Sequence, residues 1–352
     1  MKTTNKKKLT IAVTGLNAID SPGPGVAVIR AIRDCRDFAP RIVGLAYEGL
    51  EPGIYMDGIV DKTYQIPYPS AGSDALLARL KYIHSKEKID VVIPNFDAEL
   101  HNFIKLSEKL NDLGIRSFLP SLQQLGAREK INLSAFCRTY GFTAPRDRII
   151  NKADEIKKAA EEFGLPLVVK GKFYDATVAY SIDQAQKAFY HLSAKWGLPV
   201  IIQEYVTGTE VNIAALGDGK GHAISVVPMK KLYITDKGKA WAGITLDDKK
   251  LVRLAERFIK ATAWRGGCEL EVILSSKNKK PYILEINPRF PAWIYLAVAA
   301  GQNQPAALVN MALGKTVKPW RRYAAGKIFI RYSWDLITDV DDFQKISVYG
   351  EK

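Results

Sequence analysis

The sequence predicts an α/β protein whose C-terminal lobes turn α+β, and three observations lead there. Across the first 120 residues, short aliphatic runs alternate with segments whose apolar positions recur at helical spacing. Such alternation implies a parallel sheet with helices on both faces. From Gly266 to Phe290 the pattern changes, because CELEVIL and PYILEINPRF flank the polar stretch Ser275 to Lys280, a hairpin signature. Finally, 352 residues with 47% hydrophobic content can bury a large core divided into two or three lobes.

Residues 1–8 are Lys-rich and polar, without an apolar signal segment, and are expected to be a disordered lead-in. LTIAVTGL predicts a strand, NAIDSPGPG a glycine turn and VAVIRAIRD a helix. Backbone N–H groups at such a helix start attract anions, so the opening is Rossmann-like, although Gly23, Pro24 and Gly25 fall short of a full G-x-G-x-x-G. RIVGLAY predicts the second strand, followed by a loop through Tyr55 and Asp57. ALLARLKYIHSKEK predicts an amphipathic helix, and IDVVIPNFD a buried strand closed by Pro94. HNFIKLSEKLNDLG predicts one helix and IRSFLP a further strand. Asp97 and Glu99 stand at the end of a parallel strand, either as substrate contacts or as a capped helix start.

LQQLGAREKINLSAFCRTYGFTAP reads as a helical run stopped at Gly141 and Pro145, and ADEIKKAAEEFG as a helix ending at Gly164. LPLVVK predicts a strand ending at Lys170. IDQAQKAFYHLSAKWG predicts a helix, and PVIIQEYVTGTEVNIAAL two strands around a turn at Gly208. HAISVVPMKK continues the sheet, with Lys230 or Lys231 able to reach phosphate or substrate. DDKKLVRLAERFIKATAW is an amphipathic helix leading into the hairpin. Beyond it, PAWIYLAVAAGQNQPAALVNMALG is apolar and helical with a break at Gly301, and the final stretch from Lys327 holds at least one strand without assigned chemistry.

On the hairpin, alternate side chains share a face, so Glu269 and Glu271 project together, as do Glu285 and Asn287. Glu271 and Glu285 can then lie side by side across the pair. Facing carboxylates repel unless a cation lies between them. Hard cations such as Mg²⁺ take oxygen ligands, and the amide of Asn287 adds one, with the guanidinium of Arg289 beside it. The plainer alternative is a solvated charged face. Pro288 cannot donate to a ladder, which places Asn287 and Arg289 at a sheet rim.

LEINPRF with Glu271 upstream closely resembles the metal-binding end of the ATP-grasp carboxylate-amine ligases, particularly the carbamoyl phosphate synthetase large-subunit and biotin carboxylase branch. By motif order the resemblance covers residues 90 to 315. It implies a Rossmann-like domain at 9–120, a linker helix and small lid lobe at 121–206, and a large lobe at 207–352 carrying the metal and phosphate site. It also implies ATP with Mg²⁺, or Mn²⁺ in its place. Glu271, Glu285 and Asn287 would hold the metal and Arg289 would meet the phosphates or an acyl phosphate. Lys130 would reach the ATP phosphates, and Lys170 the α-phosphate and the adenine edge. Glu204, Tyr205 and Val206 would form the adenine hinge, and Glu210 the ribose contact. Two departures stand out: Glu129 replaces a commoner Asp, and the segment GKFYDATVAYS after Lys170 has only Gly171 where the family has a glycine-rich loop. Either Lys172, Thr177 and Ser181 substitute, or the lid works differently, or activity is weakened.

The activity implied is an ATP-dependent ligation of a small carboxylate to an amine, an amino acid or short peptide, through an acyl phosphate. The alternative is an ATP-binding scaffold or regulator. A nicotinamide-dependent oxidoreductase would leave the hairpin unused. Three scattered cysteines, Cys35, Cys137 and Cys268, argue against disulfides and a zinc site and suit a reducing cytoplasm. The four histidines show no ligand spacing, and no apolar run reaches the ~20 residues of a membrane span. The net charge of +14 suits an anionic substrate or a basic surface, but the basic residues are dispersed and no nucleic-acid motif is present. The resemblance also suggests a homodimer.

Overall fold

The computed structural model describes residues 7–19 and 21–352. The expected lead-in therefore lies outside the described residues as far as position 6, and Lys8 already opens the first strand. The chain divides into a larger unit, formed by residues up to Leu122 with Ile213–Glu269 and Asn287–Lys352, and a smaller unit, Gln123–Asn212 with Leu270–Ile286.

The larger unit begins with β1 (Lys8–Val13), α1 (Pro24–Arg33), β2 (Ala39–Ala46), β3 (Lys62–Gln65), α2 (Gly72–Glu87) and β4 (Val91–Ile93). The strands form a parallel sheet of order β3-β2-β1-β4, with Ile11 opposite both Ile42 and Val91. Ile11, Ala12 and Val13 are fully buried, as strands covered on both faces must be. The strand order reverses at β1, so the β1 and β4 C-termini flank the position where such sheets open a crevice. The glycine turn is sterically fixed. A Cβ on Gly25 would lie 2.1 Å from the Thr14 carbonyl oxygen, and Gly15 sits at φ +85°.

The expected single helix after β4 is two, α3 (Asp97–Lys105) and α4 (Ser107–Asp112), jointed at buried Leu106. IRSFLP is not a strand: only Arg116 bridges to Val91. The Leu119 and Ser117 carbonyls accept from the guanidinium of Arg265 (2.7 and 3.4 Å), so a side chain takes the acceptors that a ladder would use.

The next helical run is also interrupted. It consists of α5 (Leu122–Ala127), a 3₁₀ turn at Lys130–Asn132 and α6 (Leu133–Thr139). Glu129, at φ −53° and ψ 145°, is extended and cannot continue a helix. The smaller unit then adds β5 (Asp147–Ile150), α7 (Glu155–Phe163), β6 (Leu167–Lys170), β7 (Ala176–Ala179), α8 (Ile182–Trp196) and β8 (Val200–Glu204). Its sheet, β5-β8-β6-β7, is antiparallel throughout. Ile156 and Ala159 of α7 and Phe189 and Leu192 of α8 pack with Leu167, Val169 and Ile202 to make its core.

The remaining elements are β9 (Gly208–Asp218), β10 (Ala223–Ile234), β11 (Ala240–Thr245), α9 (Lys249–Thr262), β12 (Arg265–Ser275), β13 (Pro281–Asn287), α10 (Tyr295–Ala299), α11 (Gln304–Ala312), β14 (Ile328–Ile330) and α12 (Val340–Ser347). Six of them form a sheet of order β13-β12-β9-β10-β11-β14. The predicted hairpin is thus present, its turn closed by Ser275 N–H donating to the Lys280 carbonyl at 3.0 Å. Asp248 caps α9 by accepting from the backbone of Lys250 and Leu251, and Leu251, Leu254, Ala255, Phe258 and Ile259 form its buried stripe. The apolar helical region after the hairpin breaks at Gly301 (φ +94°) as expected, and the core of the larger unit includes α10 and α11. Among the described residues no helix is long and apolar enough to cross a membrane.

Gly25→Ala is expected to destabilise the protein by about 1–3 kcal/mol or more, because the clash is with backbone rather than with a yielding side chain. Urea denaturation followed by circular dichroism measures it, and a change near zero would contradict the steric account of this turn.

Candidate functional site

Four of the residues singled out in the sequence gather in the smaller unit. Lys170 ends β6, where Leu167 and Val169 bury their side chains and the alternation turns Lys170 to the other face. Lys130 follows the extended Glu129 and begins the 3₁₀ turn, with its Nζ 3.6 Å from Glu285 Oε1. Burial pulls the Lys170 ammonium down to about 8, Glu285 and Glu271 hold it up, and Lys130 pushes it down. Two ammonium groups and two carboxylates therefore share one electrostatic neighbourhood. Such a set can offer its cations to phosphate oxygens and its carboxylates to a hard divalent ion.

The expected hinge lies at the end of β8. Glu204 is its last residue, and Glu204 Oε2 accepts from Arg146 Nε at 2.7 Å. The carboxylate is thus committed to the guanidinium just before β5, and what the segment can present is backbone. Tyr205 and Val206 leave the ladder before Gly208 opens β9, and Glu210 stands exposed on that strand.

The glycine-poor stretch after Lys170 forms a short closed turn between β6 and β7. Gly171 N–H donates to the Asp175 carbonyl at 3.1 Å. The Asp175 carboxylate accepts from Lys195 Nζ (2.8 Å) and Trp196 Nε1 (2.9 Å), tying the turn to the end of α8. Asp175 takes φ +64°, and a Cβ on Gly171 would lie 2.4 Å from the Tyr174 carbonyl. One glycine is therefore enough here. Of the three residues considered as substitutes for a glycine-rich lid, Ser181 caps α8, accepting from Gln184 N–H at 3.2 Å. Lys172 lies 5.3 Å from the Phe173 ring, and Thr177 is exposed on β7.

In the larger unit a second group surrounds the rim residues. Glu269 is buried, its Oε2 accepting from Asn287 Nδ2 at 3.1 Å and its Oε1 from Trp293 Nε1 at 2.7 Å. Those bonds fix the amide of Asn287 with its nitrogen toward Glu269 and its oxygen on the opposite side. Arg289 Nε pairs with Asp97 Oδ2 at 2.7 Å. Asp97, first residue of α3, is therefore the partner of Arg289 as well as a helix-start acid. Glu99 is no exposed substrate contact. It is buried and takes hydroxyls from Thr14 and Tyr47 and backbone N–H bonds from Asn95 (2.7 Å) and Phe96 (3.0 Å), and burial raises its carboxyl above the ordinary range. Lys231 Nζ donates to the Gly238 carbonyl at 3.1 Å, whereas Lys230 is exposed.

Arg331 carries no local sequence signal; its guanidinium is held down by burial and up by Glu269. The signal for Glu269 was its placement two residues before Glu271 on one strand; nothing local pointed to Arg331. Among the described residues no three His, Cys, Asp or Glu side chains gather as a metal cage.

Residues 198–333 match the family model described as ATP-grasp in the biosynthetic pathway with Ter operon. The D-alanine–D-alanine ligase of Paracidovorax citrulli is 26% identical over 178 residues, covering 46% of this chain and 53% of the ligase. The carbamoyl-phosphate synthase of Methanobrevibacter smithii is 26% identical over 295 residues, covering 78% of this chain and 75% of that protein. The biotin carboxylase domain of the Hydrogenobacter thermophilus 2-oxoglutarate carboxylase, solved with MgADP, ADP and bicarbonate, superposes with a TM-score of 0.69 at 16% identity, covering 89% of this chain and 72% of that one. The chain spans about half the length of the D-alanine–D-alanine ligases it matches. The fold is that of the ATP-grasp proteins.

With its ammonium at about 8, Lys170 is expected to react with an acylating reagent with a midpoint near pH 8, ahead of ordinary lysines, which follow near 10.5. Peptide mass spectrometry across a pH series reads this, and a Lys170 midpoint with the other lysines would contradict the burial of its charge.

Proposed function

We propose that this protein is an ATP- and Mg²⁺-dependent carboxylate-amine ligase that forms an amide or peptide bond through an acyl phosphate and releases ADP and phosphate. The observation that carries the reading is the grouping of Lys130, Lys170, Glu271 and Glu285 in one neighbourhood. Glu271 and Glu285 hold the metal, and Asn287, two residues beyond Glu285 and so on the same face of β13, adds its amide oxygen. Mg²⁺ supplies charge neutralisation between the phosphates and the attacking carboxylate, and Mn²⁺ can replace it.

The chain's own residues do the rest. Lys130 and Lys170 fix phosphate oxygens, and the backbone of Glu204, Tyr205 and Val206 meets the adenine edge while Glu210 takes the ribose. Lys170 stays cationic at neutral pH because about 8 lies above it, so it can stabilise the charge that develops on the transferred phosphoryl group. Arg289 exchanges Asp97 for the anionic intermediate. No nucleophilic side chain is required, because the substrate carboxylate attacks the γ-phosphorus and the amine then displaces phosphate. The substrates are a small carboxylate and an amine, of the amino-acid or short-peptide kind handled by D-alanine–D-alanine ligases, and the setting is the cytoplasm.

Incubation with ATP, Mg²⁺ and a mixture of amino acids is expected to release ADP only when metal and acceptor are both present. Glu285→Gln should lower that turnover by about 10²-fold or more with an unchanged circular dichroism spectrum. Tight ATP binding without ADP release under every acceptor mixture would instead favour a nucleotide-binding scaffold, and full activity in Glu285→Gln would remove the metal assignment.

A further inference from the structure

The antiparallel sheet of the smaller unit has two faces of different character. Leu167, Val169, Val200 and Ile202 point into the core with α7 and α8. The strand period therefore turns Val168, Lys170, Ile201 and Gln203 to the opposite face. In register, Ile201 lies opposite Lys170, and Gln203 lies between Val168 on one side and Asp147 on the other. Asp147 also contributes to the field around Lys170, so these rows form one neighbourhood. Gln203 stands out within it: the residue is only 4% exposed, yet its amide makes no hydrogen bond among the described residues.

A buried amide without a partner costs free energy that a bound group recovers. A glutamine kept for structure alone would bond to Asp147 across the ladder, and among the described residues it does not. Its position is also particular. Gln203 stands two residues, about 7 Å, along β8 from the row that holds Lys170. It immediately precedes the segment 204–206, where the backbone leaves the ladder. Val168 and Ile201 flank it on the same face, an apolar floor for a flat ring with one amide set into it. All of these residues belong to the smaller unit.

We propose that the Gln203 side chain reads the nucleotide base, its Oε1 accepting from the 6-amino group of adenine and its Nε2 donating to N7. The inference rests on the ligase reading for the presence of a nucleoside triphosphate at Lys170. A planar amide meets adenine at both atoms at once, because N6 is a donor and N7 an acceptor. Guanine and hypoxanthine carry an oxygen at position 6, so both of their atoms on this edge are acceptors. Whichever way the amide is turned, its own oxygen then faces one of them. Gln203 thus selects a 6-aminopurine, a choice that the phosphate-binding lysines cannot make. The segment 204–206 meets the base through backbone, and the amide adds a second, side-chain reading of the same ring.

Isothermal titration calorimetry of the full chain with Mg²⁺ and ATP, ITP or 7-deaza-ATP tests it. The wild-type chain is expected to bind ATP about tenfold or more tightly than either analogue. Gln203→Met keeps the length of the side chain and removes its polar atoms. It is expected to narrow the preference for ATP over ITP by about fivefold or more, through weaker ATP binding with ITP binding unchanged. A glutamine that serves only the fold would instead weaken all three triphosphates together, and that result overturns the proposal. Should the variant fail to fold, the wild-type titrations decide: weaker binding of both analogues supports the reading, and equal binding of ATP and either analogue overturns it while leaving the ligase reading in place. A chain that binds no triphosphate overturns both.

Discussion

The structure depends on a charge balance in the smaller unit: two lysine ammonium groups held against two glutamate carboxylates. Removing such groups from water is costly unless they are paired, and Lys170 already yields part of its proton affinity to burial. The pairing offsets part of that cost. In the proposed reading a polyphosphate and a divalent ion together would bring the opposite charge to both sides at once. The short strand β6 and the extended backbone at Glu129 aim the two lysines, so packing and backbone geometry underlie the electrostatics.

The rim residues of the larger unit follow the same logic with stiffer partners. Asn287 cannot turn freely, because Glu269 holds its amide nitrogen and is itself fixed by the Trp293 indole. Partners of this kind fix the orientation of a side chain. Arg289 is stored on Asp97, 192 residues away in sequence. The turn between β6 and β7 is held differently: the carboxylate of Asp175, bonded to Lys195 and Trp196, ties down a segment that a glycine-rich loop would leave loose.

Much of the candidate site is legible in the sequence because residue type and order encode it: Glu285, Asn287, Pro288 and Arg289 fall within one short segment, and the strand period fixes which side chains share a face. Lys130 and Lys170 were legible only through the family resemblance, since a single lysine at a helix start or a strand end carries no local signal. Long-range partners were not legible. Trp293 reaches Glu269 only after the chain folds back, and Arg331 lies near it only because β14 joins the far edge of the sheet. In the fold, the parallel N-terminal sheet and the hairpin were readable. The strand β3 was missed because four residues, KTYQ, give too little alternation to see, and β5 and β11 were missed as well. Helix α12 was hidden inside a stretch read for its strand. The run after Ser121 has helical periodicity throughout, yet the backbone at Glu129 overrides it.

The central claim is that Glu271 and Glu285 grip a divalent ion while Lys130 and Lys170 hold the nucleotide's phosphates. Crystals grown with Mn²⁺ and a non-hydrolysable ATP analogue, with diffraction collected for manganese anomalous scattering, test it most directly. The account predicts an anomalous peak within coordination distance of both carboxylates, with phosphate oxygens completing its shell. A peak elsewhere, or a bound nucleotide whose phosphates lie away from both lysines, would contradict it.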